Sequence, residues 1–176
     1  MKKTFATILT AFAIMSTSAV MAAPQVGIDV GQMFVDAQAN TSATRLFLTL
    51  PVASFNDGKT KLAWENSTYQ FADPGYGLFT SDLTLGAKTD SGLVFEGRLG
   101  VARAHSNVMD FATGLTNSST NTSVTYGVGV RYTVADVTFR ATMDVVGKFK
   151  NTNLMGGSNQ TYANGHIMTV GAAYQF

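Results

Sequence analysis

The chain has 176 residues, with twelve Lys and Arg, eleven Asp and Glu, and no cysteine. Charged residues make up only 13% of it, about half of the roughly 25% usual in soluble domains. Disulfide staples and thiolate metal sites are excluded, and a formal net charge of +1 leaves no basic excess to recruit nucleic acid.

Lys2 and Lys3, the apolar stretch Phe5 to Met15 and the small residues around Val20-Met21-Ala22 read as a secretory signal cut after Ala22. That stretch is too short for a spanning helix, which needs about 20 apolar residues, and no later segment supplies one. Residues 1–22 are therefore assigned to the signal and 23–176 to one domain of about 154 residues. With Lys2 and Lys3 removed, ten basic residues face eleven acidic ones, a net of −1. An exported chain without an apolar helix can reside in a membrane only as a closed barrel.

Eight segments alternate with the period of two that a half-buried strand requires. The first, Gln25 to Val35, sets Val26, Ile28 and Val30 against Gly27, Asp29 and Gly31. The second, Thr44 to Ala53, sets Leu46, Leu48, Leu50 and Val52 against Arg45, Phe47 and Thr49. The third, Lys59 to Thr68, places Leu62 and Trp64 opposite Lys61, Ala63 and Glu65. The fourth, Gly77 to Lys88, has Phe79, Leu83, Leu85 and Ala87 against Asp82, Thr84 and Gly86. Leu93, Phe95, Leu99 and Val101 line one face of the fifth, Gly92 to Arg103, with Glu96, Arg98 and Gly100 on the other. The sixth, Ser123 to Val134, alternates Val124, Tyr126, Val128, Val130 and Tyr132 with Gly127, Gly129 and Arg131. The seventh, Val137 to Lys148, alternates Phe139, Ala141, Met143 and Val145 with Arg140, Thr142 and Asp144. The eighth, His166 to Phe176, carries Met168, Val170, Ala172, Tyr174 and Phe176 on one face and small or polar residues on the other.

The linkers alternate in length. Asp36 to Ala43, Ser67 to Tyr76, Ala104 to Thr122 and Phe149 to Gly165 are long and polar. Phe55-Asn56-Asp57-Gly58, Thr89-Asp90-Ser91 and Ala135-Asp136 are tight and contain residues that tolerate positive φ. Short turns at one end and long loops at the other predict an all-β, eight-stranded, antiparallel up-and-down transmembrane β-barrel. Outer-membrane residence is expected of such a barrel, and both termini then fall on the periplasmic side, as an even strand count requires.

Alternation alone leaves the sense of the barrel open, since a soluble lipocalin-like binding barrel has the same period with the apolar face inward. The polar face decides for lipid outside. It carries Asp29, Glu65, Asp82, Glu96 and Asp144 against Arg45, Lys61, Arg98, Arg131 and Arg140, among Gly, Ala, Thr and Ser. Five charges of each sign among small residues suit a cramped lumen closed by ion pairs. On the apolar face no charge falls mid-strand, where it would cost about 2–4 kcal/mol. The aromatic residues near the two strand ends agree with interfacial belts.

The signal, the eight strands, the alternating loops and the ending Tyr174-Gln175-Phe176 resemble the small opacity-protein/OmpX-like outer-membrane barrels. Glu96-Gly97-Arg98-Leu99-Gly100-Val101-Ala102-Arg103 is similar to that family's fifth strand, and Tyr126 to Arg131 and Val170 to Phe176 are similar to its sixth and eighth. The resemblance implies a non-enzymatic surface protein acting in adhesion, colonisation or envelope structure through its loops. It implies partners of lipid and lipopolysaccharide, with barrel-assembly machinery and periplasmic chaperones during biogenesis. Val170, Tyr174 and Phe176 would then form the terminal assembly signal. A host or matrix ligand would first meet the longest loops, whose apolar candidates for contact are Met109, Phe111, Leu154 and Met155.

Beside the lipocalin-like barrel, two rivals remain. A narrow pore would use the lumen charges, but eight strands leave little room for water. A lipid A-modifying enzyme of the deacylase type needs a His and a Ser two apart on one strand face. Here His105 and Ser106 are adjacent and alternate to opposite faces, with Asp110 in the following loop. The second histidine, His166, is isolated, so neither a metal nor a cofactor is expected. The palmitoyltransferase and omptin barrels do not match in their amino-terminal helix or their size. The sequons at Asn66, Asn117 and Asn159 are read as chance matches.

Overall fold

The computed structural model describes residues 23–35, 39–72, 76–110, 115–152 and 159–176. Eight strands follow in order: β1 Gln25–Val35, β2 Ala39–Phe55, β3 Thr60–Phe71, β4 Tyr76–Lys88, β5 Leu93–Asp110, β6 Leu115–Val134, β7 Val137–Thr152 and β8 Asn159–Gln175. Each pairs antiparallel with the next, and β8 returns to β1 to close the barrel. Closure leaves no unpaired edge, the condition for a sheet to sit in hydrocarbon. No described helix is long and apolar enough to cross a membrane.

The tight turns fall where positive φ is available. Asn56, Asp57 and Gly58 take φ of 51°, 54° and 84° between β2 and β3, and Gly92 takes 88° before β5. Ala135 does so at 52° without the freedom of glycine.

The alternation resolves with lipid outside. Leu99, Val128 and Val170 are each about 60% exposed on the outer wall, while Asp29, Arg45 and Glu65 are wholly buried inside. A lipocalin-like sense is thereby overturned.

Toward the loop-bearing rim the amphipathic sense inverts. Gln32, Ser42, Gln70, Arg103 and His166 are exposed, whereas their neighbours Met33, Ala43, Phe71, Ala102 and Ile167 are buried. With Tyr69, Leu78 and Val146 these form an apolar layer across the lumen. Where the outer solvent becomes water, the strands pack as they would in a soluble barrel.

This inversion corrects the expected strand ends. The segments read as linkers Ala104 to Thr122 and Phe149 to Gly165 are largely paired hairpins, from Arg103↔Thr122 to Asp110↔Leu115 and from Val146↔Gly165 to Thr152↔Asn159. Likewise β3 runs to Phe71, which brings Tyr69, Gln70 and Phe71, read as linker, into the wall. Ser, Thr and Asn pair in a ladder as well as apolar residues do, because outside the bilayer no apolar face is demanded.

Candidate functional site

The lumen gathers charged side chains of β1 to β7 into one ion-pair network, and β8 joins it through the Thr169 hydroxyl, which donates to Asp29 Oδ2 at 3.3 Å. Its centre is Glu65 on β3, which three arginines from β2, β5 and β7 approach. Arg45 forms a short ion pair with it, Arg98 Nη2 lies at 2.8 Å from Oε1 and Arg140 Nη1 at 2.8 Å from Oε2. Thr49 Oγ1 donates to the second oxygen at 2.9 Å. Each arginine also reaches a further carboxylate: Arg45 to Asp29 at 3.4 Å and Asp144 at 3.3 Å, Arg98 to Asp144 at 2.9 Å, and Arg140 to Asp29 at 3.1 Å. Arg98 meets Asp82 and Glu96 at 3.4 Å, and Arg131 meets Glu96 at 2.7 Å. Forked guanidiniums serving several carboxylates let four cations hold five anions in a narrow tube.

Lys61 does not join. It has the parity of Glu65 but lies four residues toward the turn-bearing mouth, where its side chain is exposed and, among the described residues, meets no carboxylate. There it lines a cavity of about 300 Å3 together with Lys88, Arg131 and Gln25.

Register supplies a feature that composition only hints at. Asp29 stands opposite Gly171, Asp82 opposite Gly100, Glu96 opposite Gly129 and Asp144 opposite Gly127. Each carboxylate folds over its glycine, so a Cβ at Gly100 or Gly129 would lie 2.6 Å from a carboxylate oxygen. The glycines on the polar face are thus space for acids. Without them the lumen would not hold five carboxylates at this diameter.

Two aromatic side chains complete the plug. Arg140 stacks on Phe47 with its guanidinium carbon 3.7 Å from the ring centroid. Tyr69, taken from its sequence as loop, is buried and donates its hydroxyl to Asp144 Oδ2 at 3.2 Å. Arg45 sits 5.2 Å from the same ring. An inward aromatic among the polar residues Thr68 and Gln70 was the available signal, and it is legible only once that stretch is known to be strand.

The remaining candidates are scattered. Val170, Tyr174 and Phe176 lie exposed on one face of β8, with the two rings edge to face at 5.4 Å. Met109 stands near the tip of β5, opposite Thr116, while Phe111, Leu154, Met155 and the signal segment 1–22 lie outside the described residues. His105 is exposed on the outer wall with Nδ1 3.2 Å from Thr120 Oγ1. The side chain of Ser106 lies outside the described residues. Among the described residues no group of three His, Asp or Glu side chains could hold a metal.

No family model and no curated protein sequence matches the chain. Solved structures do. The attachment invasion locus protein Ail of Yersinia pestis aligns at TM-score 0.60 and 13% identity over 88% of this chain and 97% of that one; another structure of Ail holds the heparin analogue sucrose octasulfate. The N-terminal β-barrel domain of Pseudomonas aeruginosa OprF gives 0.58 and 13% over 86% and 97%. The outer-membrane enzyme PagL gives 0.51 and 14% over 86% and 99%. An attachment invasion locus protein, an N-terminal barrel domain and an outer-membrane enzyme share this architecture, so fold alone does not choose among activities. In fold, the chain is a closed, eight-stranded, up-and-down antiparallel β-barrel like those of these outer-membrane proteins.

Proposed function

We propose that this chain is a non-enzymatic outer-membrane protein that presents stiff polar hairpins at the cell surface for attachment to a host or matrix ligand. The barrel is their closed pedestal. The observation that carries this reading is the continued pairing of β5 with β6 and of β7 with β8 past the apolar band. Seven residues beyond Arg103, at about 3.3 Å each, carry the β5–β6 tip roughly 20 Å further along the strand. A rigid hairpin loses little entropy on binding. The ion-pair network and the apolar layer above it both cross the lumen, which argues against conduction. The structural likeness to Ail, named for attachment, supports the same class of role.

The tips face outward and both termini lie in the periplasm, on the side of the short turns. Residues 1–22 direct export, and Val170, Tyr174 and Phe176 present the terminal strand to the assembly machinery after periplasmic chaperones release it. Arg103, exposed at the upper edge of the band beside Phe79, is placed to meet lipopolysaccharide phosphates.

Moving residues 104–122 and 149–165, which include Met109, Phe111, Leu154 and Met155, onto an inert eight-stranded barrel tests the proposal. Gain of attachment to cells or matrix by the recipient is expected. Attachment unchanged by the transfer, unitary conductance in planar bilayers, or a lipid A mass change abolished by His105→Ala would each overturn it.

A further inference from the structure

The turn-side mouth of the lumen holds a cavity of about 300 Å3 to which all eight strands contribute. Its charged lining residues are Lys59, Lys61, Lys88 and Arg131. All four are basic, and no carboxylate of the described residues lines it. The other polar lining groups are hydroxyls and carboxamides, Thr138 and Gln25 among them.

Strand register brings three of these cations together. Lys61 on β3 stands opposite Gly86 on β4, and Gly86 stands opposite Glu96 on β5. Arg131 reaches across from β6, so that a Cβ at Gly86 would lie 3.3 Å from its Nη2. Lys61 therefore has a guanidinium between it and Glu96, whose oxygens are taken by Arg98 at 3.4 Å and Arg131 at 2.7 Å. Lys88 lies in the same row as Arg131, joined to it through Val94. The charges that act on Lys61 are those of Lys88 and Arg131, both positive. Two of the four cations are neutralised by the chain itself, Lys59 by Asp90 at 3.0 Å and Arg131 by Glu96. Lys61 and Lys88 meet no carboxylate among the described residues, and their like charges repel across the mouth.

We propose that this mouth binds the phosphate group of a small soluble phosphomonoester between Lys61, Lys88 and Arg131. Charge selects the class. A phosphomonoester carries about −1.5 to −2 at pH 7 and presents three acceptor oxygens, matching two unpaired ammoniums and the guanidinium beside them. A monocarboxylate would leave one lysine uncompensated. Lysine serves phosphate as a point charge, without the planar fit that arginine demands. The volume stands at the lower end of small-ligand sites, which leaves room for a few carbons beside the phosphate. The cavity opens inside the ring of strands, so its ligand enters from water rather than from the leaflet around the wall. Which compartment supplies it follows from the orientation proposed for the barrel, and binding itself does not depend on that orientation.

The test titrates glycerol 3-phosphate into the mature barrel refolded in an alkyl maltoside at low ionic strength, and records the heat of binding. Saturable binding of one ligand per barrel is expected. Lys61→Met and Lys88→Met should each weaken it about tenfold, as expected for the loss of one charge-assisted hydrogen bond, with the heat-modifiable band showing that each variant is folded. Lys61→Arg keeps the charge and should restore most of the affinity. Lactate, with a single negative charge, should bind about tenfold more weakly than glycerol 3-phosphate. Affinity should persist when the barrel is moved into bilayers containing phosphatidylglycerol. No saturable binding, binding unchanged in the Lys61→Met, Lys88→Met double variant, or equal affinity for lactate would overturn the proposal. So would loss of binding in phosphatidylglycerol bilayers alone, which would give the mouth to a lipid headgroup.

Discussion

Glu65→Gln and Asp82→Asn make the same formal change, yet the network predicts very different outcomes. Either substitution leaves four buried carboxylates facing four arginines. Net charge would therefore favour both equally. Coordination does not: Glu65 holds Arg45, Arg98 and Arg140 at once, and Arg140 has Asp29 as its one other carboxylate. Removing the central anion leaves buried guanidiniums short of a partner, and breaking a buried pair typically costs about 3–5 kcal/mol. Asp82 touches a single arginine at 3.4 Å, and that arginine keeps Glu65 and Asp144, so its loss should cost about 1 kcal/mol. Trp64, the chain's single tryptophan, lies on the lipid-facing wall and reports unfolding of the refolded barrel in urea by its fluorescence. Equal midpoints for the two variants would refute the centrality of Glu65 and return the explanation to net charge. Adding Arg140→Met to Glu65→Gln should recover part of the loss, because a buried charge and its missing partner leave together.

Gly127→Ala should destabilise the barrel by about 1–3 kcal/mol, since the added methyl meets Asp144 Oδ1 and the Met143 carbonyl; urea unfolding reads this, and a neutral result would show that the carboxylate moves freely. Phe47→Leu, which keeps an apolar side chain but removes the ring under Arg140, should lower stability by about 1–2 kcal/mol, and Arg140→Met in the same background should make the loss non-additive. Ala135→Gly should stabilise by about 1 kcal/mol because Ala135 holds a φ of 52°, visible as a higher urea midpoint by Trp64 fluorescence.

Much of the lumen was legible in the chain before any contact was known. Parity alone placed Asp29, Arg45, Glu65, Asp82, Glu96, Arg98, Arg131, Arg140 and Asp144 on one face, because successive strand side chains must alternate. It placed Lys61 there as well, but parity says nothing of depth, and Lys61 ends at the open mouth. The outer strand ends were illegible for a physical reason. The expected pattern was apolar outward, and beyond Gln70, Arg103 and His166 water replaces lipid, so the pattern reverses and resembles a loop. Tyr69 and Phe71 were lost from the reading in that way.

The amino-acid sequence by itself determined the number of strands, the tight turns, and which face each side chain takes, since these depend on near neighbours and on two opposed solvents. Register was decided only by closure of the tertiary structure. The side chain of Glu65 can meet arginines 20, 33 and 75 residues away once β8 has found β1 and fixed the stagger of every strand between them. The same closure sets four acids over four glycines. Distances across a barrel are properties of the closed ring, and no local stretch of chain contains them.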